Sequence, residues 1–199
     1  MTGSRRHKPR VVLASRSPAR RRLLERAGFD VRVIDPDIAE TPNHQAVSPE
    51  RHVHENAWLK AQAGARQVKT GLVIAADTVA YAGGEVLGKP RDRSDARRML
   101  ELLSGTRHDV LTGLCLCRAT DRLSVSTVET TTLAMRVWTT EEMVRYLESG
   151  DWEEKSGAYA IREQDDPVVE RVTGSISNVV GIPLERLQAL LREFPSLLD

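Results

Sequence analysis

The chain has 199 residues, with 29 Lys plus Arg against 28 Asp plus Glu for a net charge of +1; 40% of residues are hydrophobic and 29% charged. This is a globular composition, long enough to bury about 70% of its unfolded surface without a metal or disulfide staple. The near-balance of charge speaks against a nucleic-acid surface, and no apolar run approaches the ~20 residues of a membrane span. Cys115 and Cys117 stand one residue apart in an apolar run. That spacing makes neither a disulfide framework nor a four-ligand zinc site, and on a strand both thiols face the core. Residues 1–10 are basic without an apolar stretch, so they read as a flexible extension and not as a secretory signal. The expectation is one soluble, cytoplasmic domain spanning 1–199.

In chain order, Val11–Ala14 reads as a strand. Ser17 then supplies an N-cap and Pro18 the first helical position, with the helix running to Ala27 and stopping at Gly28. Val31–Ile34 is a second strand, followed by a long polar loop over Asp35–Ser48. Pro49 opens a second helix, with Val53, Ala57, Ala61, Gly64 and Val68 near helical spacing. Leu72–Ala82 is the most apolar stretch and reads as a central strand closed by a Gly83-Gly84 hairpin turn. Ser94–Leu103 is an amphipathic helix. Val110–Arg118 and Leu123–Val137 are long strands joined by Ala119–Arg122. Thr139 or Thr140 caps a helix that ends at Ser149-Gly150. Tyr159–Ile161 and Val168–Val172 read as strands around an acidic turn. Pro183–Phe194 closes the chain as a helix with Leu184, Leu187, Leu191 and Phe194 on one face. Alternating strands and helices followed by antiparallel-looking strands indicate an α/β fold with a mixed central sheet flanked by helices.

The chemistry concentrates in a few places. Leu13-Ala-Ser-Arg-Ser-Pro-Ala-Arg20 is a strand, a polar turn and a helix start. A helix N-terminus presents free N–H groups and the positive dipole end, and Ser15 and Ser17 add hydroxyls. Arg20, Leu23, Leu24 and Ala27 share one stripe, which turns Arg20 towards the core edge. It serves either a bound anion or a structural carboxylate. Lys60 falls beside the apolar stripe of the second helix, where a partly buried ammonium needs an anionic partner, unless it snorkels to solvent. Asp77-Thr78 interrupts the central strand, and a carboxylate there is costly unless paired or metal-bound. Gly83 to Lys89 imitates the start of a P-loop, but Pro90 stands where Ser or Thr is needed and has no N–H to offer. Lys89 remains a candidate phosphate contact. His52 and His54, two residues apart, face different sides of a helix and make a poor metal pair. Cations at Arg20, Lys60 and Lys89 with carboxylates at Glu40 and Asp77 suit a metal-bound polyphosphate.

These segments resemble the Maf family of nucleoside triphosphate pyrophosphatases over nearly the whole chain. The motifs are Leu13–Arg20, Ala76-Asp-Thr78, Gly88-Lys-Pro-Arg91, Leu103–Gly113, Lys155–Ile161 and Gly174–Leu184. The resemblance implies two lobes with a cleft between them, as in Maf and inosine triphosphatase-like proteins. It implies hydrolysis of a (d)NTP, dTTP/UTP or a modified nucleotide, to the monophosphate and pyrophosphate with a divalent cation (Mg²⁺ or Mn²⁺). It also implies a cytoplasmic homodimer. By motif position Asp77, Glu40, Lys60 and Lys89 look catalytic, with Asp77 and Glu40 as metal ligands, and Ser15, Ser17 and Arg20 bind phosphate. Ala19, Thr78 and Arg162 look like specificity positions. Ala19 and Arg162 depart from the pyrimidine-type pattern, which has Arg and Gln there. The family's link to septum formation leaves a second reading, a nucleotide-sensing regulator of cell division with little catalysis.

Overall fold

The computed structural model describes residues 8–40, 48–161 and 166–198. Its strands are β1 (Arg10–Ala14), β2 (Asp30–Ile34), β3 (Leu72–Ala82), β4 (Glu85–Leu87), β5 (Arg107–Arg118), β6 (Ser124–Met135) and β7 (Val169–Thr173). Its helices are α1 (Pro18–Arg26), α2 (Pro49–Gln67), α3 (Arg93–Leu103), α4 (Thr140–Ser149), α5 (Ile176–Val180) and α6 (Leu184–Glu193). All seven strands join one sheet in the order β2-β1-β3-β5-β6-β7, with β4 also on β3. β1 runs parallel to β2 and β3, and every other pairing is antiparallel. The expected mixed α/β sheet is therefore present. Among the described residues no helix is long and apolar enough to cross a membrane.

The pleat of β3 explains both helical layers. Leu72, Ile74 and Ala76 pack with Leu23 and Leu24 of α1 and Leu187 and Leu190 of α6. Val73 and Ala75 face the other way, onto Ala57, Ala61 and Ala65 of α2 together with Cys115 and Cys117. Successive side chains on a strand point to opposite faces, so one strand serves two layers. A third core lies at the far end of the long strands. Ala80 and Ala82 of β3 and Leu87 of β4 pack there against α3, α4, Trp138 and Tyr159. The first two cores flank the start of β3 and the third its end, which gives two lobes.

The cleft follows from strand register. One edge of β3 pairs with β5 from Leu72 to Tyr81. The other edge pairs with β1 only at Leu72–Ile74, and with β4 only at Ala80–Ala82. Between these ladders, from residue 75 to 79, that edge carries no strand partner among the described residues. Asp77 and Thr78 sit at the centre of the gap, just past the C-terminal end of β1, where open α/β sheets place ligands.

Local sequence accounts for most boundaries. Ser17, Ser48, Asp92, Thr139 and Ser175 each cap a helix through a side-chain oxygen, and Thr139 with Glu142 completes a capping box. Gly83 and Gly84, both at positive φ, form the β3–β4 hairpin turn, which disposes of the P-loop imitation. Three expectations need correction. Tyr159–Ile161 is not a strand; the Ala160 N–H donates to the Tyr146 hydroxyl and Tyr159 plugs the core, so its apolar pattern reflects a packed turn. On α6 the buried residues are Leu187 and Leu190, while Phe194 lies beyond the helix and is 38% exposed. The first strand takes in Arg10, and the Pro9 carbonyl accepts from Asp30, so the end of the supposed extension belongs to the sheet.

Candidate active site

On the α2 face of the gap, Asp77 is 7% exposed and Lys60 5%. Lys60 Nζ lies 2.6 Å from Asp77 Oδ1 and 2.9 Å from Glu40 Oε1. The buried lysine thus has anionic partners, as its stripe position required, and does not snorkel. Glycine makes this approach of helix to sheet possible. Gly113 is the β5 residue opposite Asp77, and a Cβ there would come within 2.1 Å of the Val53 carbonyl oxygen on α2. Any side chain at 113 would push away the helix that carries Lys60.

On the opposite face stands Arg20. Its Nε donates to the Gly181 carbonyl at 3.0 Å, Nη1 to Ser15 Oγ at 3.3 Å and Nη2 to Thr78 Oγ1 at 2.9 Å. All three acceptors are neutral, and among the described residues no carboxylate forms an ion pair with Arg20. Burial lowers the guanidinium pKa, and the fields of Asp77 and Glu40 offset this only in part. Arg20 is half-buried and has no counter-charge in contact, which leaves its charge open to an anion.

The hydroxyl protons behind Arg20 have a definite order. Thr112 Oγ1 donates to the Asn178 carbonyl at 3.0 Å. The Thr78 hydroxyl, 2.9 Å away, must then donate to Thr112, leaving its lone pairs for Arg20. Thr78 therefore orients Arg20, and its own carbonyl accepts from Ser156 Oγ at 2.6 Å. Ser15 Oγ accepts from Ser17 N–H and from Arg20, so its own proton is left for another acceptor. Ser17 caps α1 by accepting from the Arg20 N–H. Ala19, on the first turn of α1, offers no polar group. Gly181, at φ +119°, closes α5 in the left-handed region and turns its carbonyl to Arg20.

Ser15, Arg20 and Thr78 thus form one group, and Glu40, Lys60 and Asp77 another, across the open β3 edge. Lys89 joins neither. It pairs with Glu154 on the surface, with side-chain exposures of 59% and 76%. The segments holding these two partners are tied by the Gly157 N–H donating to the Gly88 carbonyl. Arg162 lies outside the described residues. Among those residues no group of three or more His, Cys, Asp or Glu side chains is poised to hold a metal. Glu40 and Asp77 nevertheless converge on one cation, the Lys60 ammonium, and two hard oxygen donors are what Mg²⁺ or Mn²⁺ takes alongside phosphate and water.

Sequence reasoning missed Asn56 and His52. Asn56 Nδ2 is 3.2 Å from Asp77 Oδ2 and 3.3 Å from His52 Nε2. The available signal was the spacing 52, 56, 60, which places all three on one face of α2. His52 was weighed only against His54, which points away to Ser126 Oγ at 2.7 Å.

The chain matches the family described as Maf-like protein over residues 10–194. It is 46% identical over 188 residues to the dTTP/UTP pyrophosphatase of Anaeromyxobacter dehalogenans strain 2CP-C, covering 92% of this chain and 93% of that one. It is 38% identical over 192 residues to the dTTP/UTP pyrophosphatase of Bdellovibrio bacteriovorus, covering 94% and 100%. Its fold is similar to solved structures of a HAM1 protein from Coxiella burnetii (TM-score 0.55, 17% identity, 92% and 98% covered) and of the Staphylococcus aureus Ham1 protein (TM-score 0.54, 16% identity, 92% and 98% covered). With a match across almost its entire length, this chain belongs to the Maf-like protein family.

Proposed function

We propose that this protein is a nucleoside triphosphate pyrophosphatase. It would hydrolyse a (d)NTP to the monophosphate and pyrophosphate, with dTTP and UTP as the first candidates because relatives 46% and 38% identical bear that activity in their names. One observation carries the reading: a half-buried guanidinium without a carboxylate partner faces buried Asp77 and exposed Glu40, both on Lys60, across an open strand edge. A triphosphate supplies the missing negative charge.

In the proposed reaction a water oxygen attacks the α-phosphorus. The bond from that phosphorus to the α–β bridging oxygen breaks, and pyrophosphate leaves with the electron pair. Asp77 accepts the water's proton or holds the metal. Arg20, the Ser15 hydroxyl and the α1 N-terminus neutralise phosphate oxygens, and Lys60 and Lys89 add charge. Lys89 would first exchange Glu154 for phosphate. Glu40 and Asp77 would hold Mg²⁺ or Mn²⁺, which supplies Lewis-acid charge neutralisation when bound.

A regulator with little catalysis is the weaker reading, since the whole catalytic set is intact in the chain. The resemblance also carries a homodimer and a cytoplasmic location into the proposal, and sedimentation of the purified protein checks the first. The test of the activity is a pyrophosphate-release screen over standard and modified nucleoside triphosphates. Turnover of dTTP or UTP is expected, and no release from any of them with either metal would overturn the proposal.

A further inference from the structure

We propose that Asn56, backed by His52, is a positioning residue that holds the Asp77 carboxylate in the orientation hydrolysis needs; this rests on the pyrophosphatase reading and extends it to two residues that reading leaves out. His52, Asn56 and Lys60 stand at i, i+4 and i+8 on α2 and are 3%, 0% and 5% exposed. Lys60 takes Asp77 Oδ1 and Asn56 takes Asp77 Oδ2, so each carboxylate oxygen has its own donor from the same helix face. Both the position and the roll of the carboxylate are thereby set. Because the amide is neutral, it does this without cancelling the charge that Asp77 needs for a proton or a cation.

The contacts to Asp77 and His52 orient the amide. An amide nitrogen carries two hydrogens and no accepting lone pair, while an ionised carboxylate only accepts. Flipping Asn56 would press its carbonyl oxygen against Asp77 Oδ2. The carboxylate therefore fixes the amide, and the second amide hydrogen makes His52 Nε2 an acceptor at 3.3 Å. Accepting there leaves Nε2 bare and places the ring proton on Nδ1, an atom that is buried and has no hydrogen-bond partner among the described residues. At 3.9 Å from Asp77 Oδ2, His52 Nε2 is too far for a direct hydrogen bond, so it acts through Asn56.

The test combines kinetics with a spectroscopic readout. In Asn56→Leu, kcat for pyrophosphate release should fall about 10- to 100-fold with KM changed less than about threefold, the range seen when outer partners of a catalytic group are removed. His52→Leu should lose less, and Asn56→Gln should recover part of kcat. Nitrogen-15 shifts of His52 in the unmodified protein should show Nδ1 protonated and Nε2 bare. This measurement needs neither turnover nor a variant that folds. A wild-type kcat in folded Asn56→Leu, beside an inactive Asp77→Asn, would overturn the positioning role and leave the activity standing. An Nε2-protonated His52 would overturn the hydrogen-bond order. An inactive unmodified protein would overturn the activity and leave that order to the shifts.

Discussion

The Lys60 ammonium lies 2.6 Å from Asp77 Oδ1, and both residues are withdrawn from solvent, at 5% and 7% exposure. Burying a pair of charges is repaid only while both are present. Lys60→Met strands Asp77 on a single neutral donor and should cost about 3–5 kcal/mol of unfolding free energy. Asp77→Asn should cost less, because Lys60 keeps Glu40 at 2.9 Å. In denaturant melts, Lys60→Met/Asp77→Asn should be more stable than Lys60→Met alone; strict additivity would mean the two charges do not interact.

Arg20 offers its fork to three acceptors, Gly181, Ser15 and Thr78. A lysine ammonium cannot reproduce that planar set. Arg20→Lys should raise KM for the nucleotide at least about tenfold, equivalent to ~1.4 kcal/mol. Thr78→Val should raise KM in the same direction and Thr78→Ser should not, as only the hydroxyl orients Arg20. Equal effects of Val and Ser at 78 would point to the methyl group instead.

Lys89 and Glu154 form an exposed pair, and Lys89 holds the Glu154 carboxyl below its usual range. Such pairs are worth at most about 1 kcal/mol. Since phosphate must displace Glu154 in the proposed reaction, Glu154→Gln should lower KM about two- to fivefold, with kcat unchanged. An increase in KM would show that Glu154 assists binding.

Burial pulls the His108 pKa from 6.5 down to about 4, against a weaker opposite pull from Asp109. The folded value lies below the unfolded one, so between pH 6.5 and 4 the unfolded chain binds more protons. Stability should therefore be fully present above about pH 6.5 and fall by about 3 kcal/mol as pH drops towards 4, then level off for this group. Replacing His108 by Gln should flatten that limb in urea melts recorded across pH. Its partner Tyr159, 2.7 Å away, keeps its hydroxyl protonated throughout, because burial raises that pKa.

How far these features were legible differs by residue. Leu72–Ala82 was readable to the residue because a strand buried on both faces writes a continuous apolar run, and Asp77-Thr78 stood out against it. Lys60 was readable because a charge beside an apolar helix stripe demands a partner. Asn56 was not, since an uncharged amide breaks no pattern. The five-residue α5 was hidden in its Ser-Asn-Val-Val motif, too short for a periodicity. Strand register was beyond reach as well. That β1 leaves β3 after Ile74 and β4 rejoins it at Ala80 depends on pairings distant in sequence, and that gap is the cleft. The two cysteines followed their pattern: both are buried, and burial pushes the Cys115 thiol up to about 12, so neither should react with thiol reagents in the native state.

Pyrophosphatase activity dependent on Asp77 is measured most directly as product formation from dTTP and UTP, with Mg²⁺ or Mn²⁺, by the unmodified protein and by Asp77→Asn. Nucleoside monophosphate and pyrophosphate are expected in equal amounts from the first, and no turnover from a folded Asp77→Asn. Release of orthophosphate in place of pyrophosphate, or undiminished turnover without the Asp77 carboxylate, would contradict it.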